Sequence, residues 1–304
     1  MKQSLKKQIE TAKDLLDKKY LLSPKKERYL HILGVAKKAK ELAIKYGENP
    51  DKAYLAGLMH DYYKYEAKEE MALLLTEEER LECEKCEVLY HSYSSARAYL
   101  NLVDDDLDIY NAIKNHVFGR PNMSKLEEII LISDYTEENR MYPSCIYCRG
   151  LVDRGLFYTA IYESTRMTME HLKSKGVIPH PLQNEVLKIY KEKMLMELLN
   201  ILNEAVNKVK AFDITRYDMR NNSPFYDYMI VASVSSLRQA SAVRGYVEEL
   251  IKNTPFNIRS VEGEGTEWVL IDCYDVVLQI FTDSERKRIA LDKIYMDYPI
   301  IEEK

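Results

Sequence analysis

No stretch of this sequence approaches the ~20 consecutive apolar residues that a bilayer span requires. Its opening, MKQSLKKQIE, is too polar for a secretory signal. A soluble cytoplasmic chain with no membrane partner is therefore expected. Basic excess is also missing: 44 Lys+Arg stand against 49 Asp+Glu, for a formal net charge of -5. From Ala211 onward 11 basic residues face 16 acidic ones, and the first 210 residues balance at 33 against 33. Neither part has the cationic surplus that binding to a phosphate backbone draws on, so strong direct nucleic-acid binding is not expected.

Cysteine is scarce, with five residues. An odd count in a reducing compartment excludes a disulfide framework. Cys83 with Cys86 and Cys145 with Cys148 form two C-x-x-C pairs, which together match the ligand number of a four-thiolate zinc site. They are separated by 58 residues and lack glycine-rich knuckles, so free, buried or half-buried thiols are the preferred reading and zinc stays open. Only one tryptophan is present, Trp268, against 24 tyrosines.

At 304 residues the chain is long enough for two domains, each with its own core. The first 190 or so residues read as helix after helix. Leu30, Leu33, Ala36, Ala39 and Ala43 recur at helical spacing. Ala53, Leu55, Ala56, Leu58 and Met59 open another apolar run after the break at Gly47, Asn49 and Pro50. Further helical patterns cover residues 90–102, 107–116, 125–135, 159–175 and, after Pro179 and Pro181, 184–208. Beyond Ala211 the period shortens. Strands are expected over 212–217, 226–233, 257–262, 268–273 and 276–281, with helices over 236–252 and 284–296. The expected organisation is an all-α domain over 1–191 followed by a small mixed α/β domain over 192–304.

The chemistry is concentrated in the first part. Four of the six histidines, His31, His60, His91 and His116, fall on successive predicted helices; Asp61 follows His60 directly, and Asp134 lies on a later helix. Imidazole with carboxylate is the donor set of iron, manganese or zinc, and an adjacent His-Asp pair can serve one or two ions. Two ions a few ångströms apart suit hydrolysis of a phosphoanhydride. A lone histidine on an amphipathic helix is more often a hydrogen-bonded core residue, but the ordered set weighs against that. Lys64 lies one helical turn after Asp61, so its ammonium can face the same phosphates, and Arg120 and Arg140 are further candidates for substrate charge. Tyr62, Tyr63, Tyr65 and Tyr135 lie close in sequence to these groups and could stack an adenine, although packing is the commoner role.

The segments Arg28-Tyr29-Leu30-His31, Leu58-Met59-His60-Asp61-Tyr62-Tyr63-Lys64, Tyr90-His91, Asn115-His116 through Gly119-Arg120-Pro121, and Ile132-Ser133-Asp134-Tyr135 with Glu138-Asn139-Arg140 resemble the HD-type symmetrical diadenosine tetraphosphatases, the YqeK family. The resemblance covers about residues 10–190. It implies an HD-superfamily fold, two iron ions on His31, His60, Asp61, His91, His116 and Asp134, and hydrolysis of diadenosine tetraphosphate to two ADP. From the residues themselves, Asp61, Lys64 and Arg120 are the candidates for catalysis and Lys64, Arg120 and Arg140 for substrate binding. Manganese is the alternative metal. Relatives commonly carry Thr-Thr after the fourth histidine and Gly after the third, where this chain has Val117-Phe118 and Ser92.

After Ala211 no nucleophile with a base, no ligand set and no glycine-rich phosphate loop appears. Asp213, Asp218 and Asp227 read as turn or cap residues. Tyr226-Asp227-Tyr228-Met229-Ile230-Val231, Arg238-Gln239, Val261-Glu262-Gly263-Glu264, Trp268-Val269-Leu270-Ile271-Asp272, Asp275-Val276-Val277 and Leu291-Asp292-Lys293-Ile294-Tyr295 resemble the ribosomal silencing factors, the RsfS family. That resemblance implies a nucleotidyltransferase-like α/β fold and binding to the large ribosomal subunit through its protein number fourteen. Binding there hinders subunit joining and represses translation; Trp268 is the expected anchor. Such factors often pair, so a homodimer stays open. The usual loop Gly is Val234 here, and the usual terminal Trp is Tyr295. Two alternatives to the leading reading remain: a phosphohydrolase for another nucleotide, and a ribosome-binding protein with a vestigial metal site.

Overall fold

A computed structural model describes residues 4–21 and 23–302; residues 1–3, where the polar N-terminal segment begins, residue 22 and residues 303–304 lie outside the described residues. The chain divides into two compact units, residues 1–191 and 192–304. Among the described residues no helix is long and apolar enough to cross a membrane.

The first unit is all helical. It opens with α1 (Leu5–Leu16), whose first turn is capped by the Ser4 hydroxyl, and a π-helical turn over Asp17–Leu21. Next come α2 (Lys26–Lys45) and α3 (Pro50–Met59). The Asn49 side chain accepts from the backbone N–H groups of Asp51 and Lys52, and Pro50 occupies a first-turn position where its missing donor costs nothing. The two helices cross at backbone contact: a Cβ on Gly57 would stand 2.6 Å from Ala36 Cα. His31 on α2 and His60 at the end of α3 are thereby drawn toward the same space.

Two short helices follow, α4 (Lys68–Ala72) and α5 (Glu77–Lys85), the second opened by a Thr76–Glu79 capping box. The unit continues through α6 (Leu89–Leu102), α7 (Leu107–Lys114), α8 (Lys125–Thr136), α9 (Pro143–Asp153) and α10 (Phe157–Ser174). The long α11 (Pro181–Lys208) starts earlier than its apolar pattern suggested, because a proline at a helix start needs no amide partner. The sequence pattern singled out neither α1, α4, α5 nor α9. All four are 12 residues or fewer, one of them five, too short for a periodic signal to stand clear.

The second unit carries one five-stranded sheet in the order β1-β2-β5-β4-β3. Its strands are β1 (Phe212–Asp218), β2 (Tyr228–Val234), β3 (Ser260–Glu262), β4 (Trp268–Asp272) and β5 (Val276–Thr282). Only β2 and β5 run parallel, and both are buried along their whole length, as expected for central strands covered on two faces. The helix α12 (Leu237–Ile251) packs on β2, β4 and β5 through Ala240, Val243, Val247 and Ile251. A cluster of Tyr217, Met229, Val231, Phe281 and Leu291 forms a separate part of the core.

The helix expected over 284–296 is instead two, α13 (Asp283–Ile289) and α14 (Leu291–Ile294), broken at Ala290. Ala290 adopts a left-handed conformation (φ 53°), which costs an L-residue about 1–2 kcal/mol. Offsetting this, the break delivers Leu291 to the core cluster and lets the buried Arg286 guanidinium make a two-pronged pair with Asp292 at 2.7 and 2.9 Å. Such compensation is tertiary and leaves no mark in the local pattern.

Candidate metal centre

Five segments of the first unit contribute six side chains to one cluster. His31 comes from α2, His60 and Asp61 from the turn that ends α3, His91 from the first turn of α6, His116 from just beyond α7, and Asp134 from α8. All but the partly exposed Asp134 are buried. The turn after α3 is fixed from both sides: the Ser95 hydroxyl accepts from Tyr63 N at 3.0 Å, and the Tyr20 hydroxyl donates to Tyr62 O at 3.0 Å.

Asp61 is the centre of the arrangement. Its Oδ2 lies 3.4 Å from His60 Nε2 and 3.9 Å from His31 Nε2, while Oδ1 lies 3.3 Å from His91 Nε2 and 3.5 Å from His116 Nε2. Asp134 Oδ1 closes the first group, 3.0 Å from His31 Nε2 and 3.8 Å from His60 Nε2. The Nε2 atoms of His91 and His116 are 3.4 Å apart in the second. His31, His60 and Asp61 thus form one metal-competent group and Asp61, His91 and His116 another, with the carboxylate common to both.

The donors fit divalent ions. His60 Nε2 and Asp61 Oδ1 are buried without a hydrogen-bond partner, and His31 Nε2, also buried, lies 3.0 Å from Asp134 Oδ1. Donors bound at about 2.0–2.2 Å in tetrahedral or octahedral geometry lie about 3–3.5 Å from one another; the second group spans 3.3–3.5 Å and the first 3.0–3.9 Å. The charge states of His60, His91, Asp61 and Asp134 agree. Burial pushes the His60 imidazole down and His91 down to about 4, so both are neutral at pH 7. Burial would raise Asp61 and Asp134, but His60, His116 and His91 around the first, and Arg140, His31 and His60 around the second, hold both carboxyls well below the usual range. At His31 burial is outweighed by Asp134 and Glu137, which raise its pKa.

The rings are oriented by their other nitrogen. His60 Nδ1 donates to Gly57 O and His116 Nδ1 to Ile113 O, both at 2.7 Å, which leaves Nε2 free as a ligand. His31 Nδ1 is 3.1 Å from the buried Glu137 Oε1. Three cations reach the cluster: Arg28 Nη1 to Asp61 Oδ2 at 2.6 Å, Arg140 Nη2 to Asp134 Oδ1 at 2.7 Å, and Lys64 Nζ to His91 Nε2 at 2.9 Å. Arg120 is placed differently, its guanidinium engaged by both oxygens of Glu127 at 2.7 and 2.8 Å. An open pocket of about 380 Å³ beside the cluster is lined by Arg28, His31, Tyr65, Arg140 and Tyr142 among others.

The sequence reading passed over Arg28 and Glu137 as site residues. Arg28 stands one turn before His31 on α2, a spacing that could have flagged it. Glu137 is 106 positions from His31 and meets it only through the fold. Of the tyrosines, Tyr62 and Tyr63 receive the Lys19 ammonium at 4.2 and 4.1 Å, Tyr65 lies between Lys25 and Arg28 at the pocket, and Tyr135 lines a small cavity with His116 and Asp134. Phe118 stacks on His180 at 4.9 Å, and the Ser92 hydroxyl donates to Leu89 O. Cys83 and Cys148 are buried thiols, each pushed up to about 12 by burial; no cysteine joins either metal-competent group among the described residues.

In the second unit Trp268 begins β4, its ring stacked on Phe281 at 5.4 Å yet 41% exposed. It lines an open pocket of about 590 Å³ with Leu237, Leu270, Glu262, Glu267 and Glu285. A Cβ on Gly263 would collide with the Trp268 carbonyl, so this turn requires glycine. Tyr295 packs on Tyr217 and Tyr298, and Val234 is fully buried at the end of β2. Asp218 holds Arg220, Asp227 N donates to Asp275 O, and the Asp213 carbonyl accepts from Arg286.

The profile of the HD domain matches residues 28–139, and that of the ribosomal silencing factor during starvation matches residues 192–304. A symmetrical bis(5'-nucleosyl)-tetraphosphatase of Bacillus subtilis is 35% identical over 49% of this chain and 81% of its own length. The ribosomal silencing factor of Halalkalibacterium halodurans is 31% identical over 35% of this chain and 92% of its own. A solved HD-superfamily hydrolase from Clostridium acetobutylicum, described as involved in NAD metabolism, superposes with a TM-score of 0.54 at 30% identity over 64% of this chain and all of that one. The chain therefore belongs to two families at once, the HD-domain symmetrical bis(5'-nucleosyl)-tetraphosphatases through its helical unit and the ribosomal silencing factors through its α/β unit.

Proposed function

We propose that the helical unit hydrolyses diadenosine tetraphosphate symmetrically to two ADP, and that the α/β unit binds the large ribosomal subunit and hinders subunit joining. The observation carrying the first half is the fork of Asp61, one oxygen toward His31 and His60 and the other toward His91 and His116. His31, His60, Asp61 and Asp134 would hold one divalent ion and Asp61, His91 and His116 the other, with iron expected and manganese the alternative. Bound there, the pair supplies water made nucleophilic at neutral pH and charge to offset that of the phosphates.

The chain's own groups do the rest. Arg28 and Arg140, at the pocket wall, bind phosphate oxygens and align the tetraphosphate. Lys64, beside His91, faces the oxygen of the departing phosphate and steadies its growing charge. Water adds to a phosphorus next to the central bridging oxygen, the bond from that phosphorus to the bridge breaks, and each half leaves as ADP. Arg120, paired with Glu127, acts on substrate only by exchanging that partner. Tyr65 offers an exposed ring for an adenine at the pocket mouth. Trp268 anchors the ribosomal contact, with ribosomal protein fourteen as partner, because an exposed, rigidly stacked indole gives large contact area at little entropic cost.

The test is product analysis. Protein purified without air and supplied with ferrous or manganous ion is given diadenosine tetraphosphate, and the nucleotides are resolved. ADP as sole product supports the reading; AMP with ATP, or no turnover, counts against it.

A further inference from the structure

The four imidazoles of the centre are not held alike. His60 and His116 each bond a carbonyl three residues back in their own segment, so the backbone that carries the ring also aims it. His31 instead relies on a side chain from elsewhere, the carboxylate of Glu137 at the end of α8. Glu137 is 1% exposed, and each part of it is tied down. Its amide donates to Ser133 O at 3.0 Å, and its carbonyl accepts from Arg149 at 2.6 Å. Its Oε2 accepts from the Asn139 amide at 2.7 Å and the Asn139 side chain at 3.0 Å, and that side chain also reaches Leu30 O at 3.3 Å.

Space for this carboxylate is provided by one residue. Gly34, one turn after His31, has no Cβ; one built there would stand 2.2 Å from Glu137 Oε2 and 2.9 Å from Asn139 Nδ2. The φ of Gly34 is not in the left-handed region, so the requirement is for volume and not for backbone freedom. A side chain at 34 would have to displace the Glu137 carboxylate and the Asn139 amide from where they stand.

We propose that Glu137 is a positioning residue, seated by Gly34 and Asn139, that fixes the His31 imidazole and strengthens its donor nitrogen, so that the ion on the His31, His60 and Asp134 side depends on it while the one on the His91 and His116 side does not. A buried carboxylate hydrogen-bonded to the far nitrogen of a ligand imidazole fixes its tautomer and raises its basicity, and losing such a partner typically weakens metal binding about 10–100-fold. The inference rests on the two-ion reading above.

Metal binding itself is the readout. Manganese is titrated into metal-stripped wild-type protein, Glu137→Ala, Glu137→Gln and Gly34→Ala, with stoichiometry and the two dissociation constants obtained by chelator competition, and folding checked by circular dichroism. The expected result is two ions in the wild type, and in Glu137→Ala and Gly34→Ala one constant unchanged with the other weakened about 10–100-fold. Glu137→Gln, which keeps an oxygen acceptor, falls between. Gly34→Ala keeps every polar group and separates displacement of the carboxylate from its loss. Two ions bound by folded Glu137→Ala and Gly34→Ala with wild-type constants overturn the inference alone. A wild type that binds no ion overturns the two-ion reading with it.

Discussion

Gly57 on α3 and Ala36 on α2 meet so closely that a Cβ on the glycine would stand 2.6 Å from the alanine Cα and 2.9 Å from its nitrogen. Backbone atoms cannot move aside as a flexible side chain can, so this crossing sets how near His31 and His60 lie. Gly57→Ala should destabilise the helical unit by about 1–3 kcal/mol through overpacking. Urea unfolding monitored by circular dichroism measures this. An unchanged midpoint would show that the helices separate freely.

The two units should lose their functions independently. His60→Ala is expected to abolish tetraphosphate hydrolysis and leave sedimentation with large ribosomal subunits intact. Trp268→Ala should do the reverse, weakening the ribosomal contact by about 2 kcal/mol, roughly 30-fold, at unchanged turnover. Normal turnover by His60→Ala would remove the metal assignment.

Arg28 Nη1 holds Asp61 Oδ2 at 2.6 Å and stands at the wall of the pocket beside the cluster. If it binds phosphate, Arg28→Ala should lower kcat/KM by about 100-fold, and Arg28→Lys, which keeps charge but loses the planar fork, should recover only part. Steady-state kinetics at saturating metal decide the matter. Equal activity in all three proteins would place Arg28 outside the substrate site.

Glu79 gives the protein an acid-sensitive point away from the centre. Burial would raise its carboxyl, but Arg97 at 2.8 Å, Tyr110 at 2.6 Å and the Thr76 amide bring it down to about 2. Because the folded value lies below the unfolded one, the contribution is complete above about pH 4.5 and is lost as pH falls toward 2. Its ceiling is about 3 kcal/mol. Glu79→Gln should therefore be less stable than wild type at pH 7, with the gap narrowing below about pH 4.5 and closing only near and below pH 2 in parallel urea titrations. A gap that stays constant with pH would contradict the ionic role.

Much of the protein is written locally. Helical periodicity in the first part and alternation and apolar runs in the second can be read along the chain, because each depends on residues within a turn or two of one another; the ordered set of His31, His60-Asp61, His91, His116 and Asp134 can be read too, because donor chemistry belongs to the residue itself. Of the aspartates at 213, 218 and 227, all expected to be turn or cap residues, Asp218 ends β1 and accepts from the Arg220 amide as that chemistry suggests, whereas Asp213 lies inside β1.

Other features existed only once the chain was folded. The facing of Asp61 Oδ1 and Oδ2 toward different imidazole pairs, the seat that Gly34 provides for Glu137 and the break at Ala290 all join atoms distant in sequence or balance a local cost against a distant contact. Sequence determined which donors the protein has, since side-chain chemistry belongs to the residue. Tertiary structure decided which of them come together and which cations stand beside them, since those are matters of distances of a few ångströms that only packing of helices far apart in the chain can set.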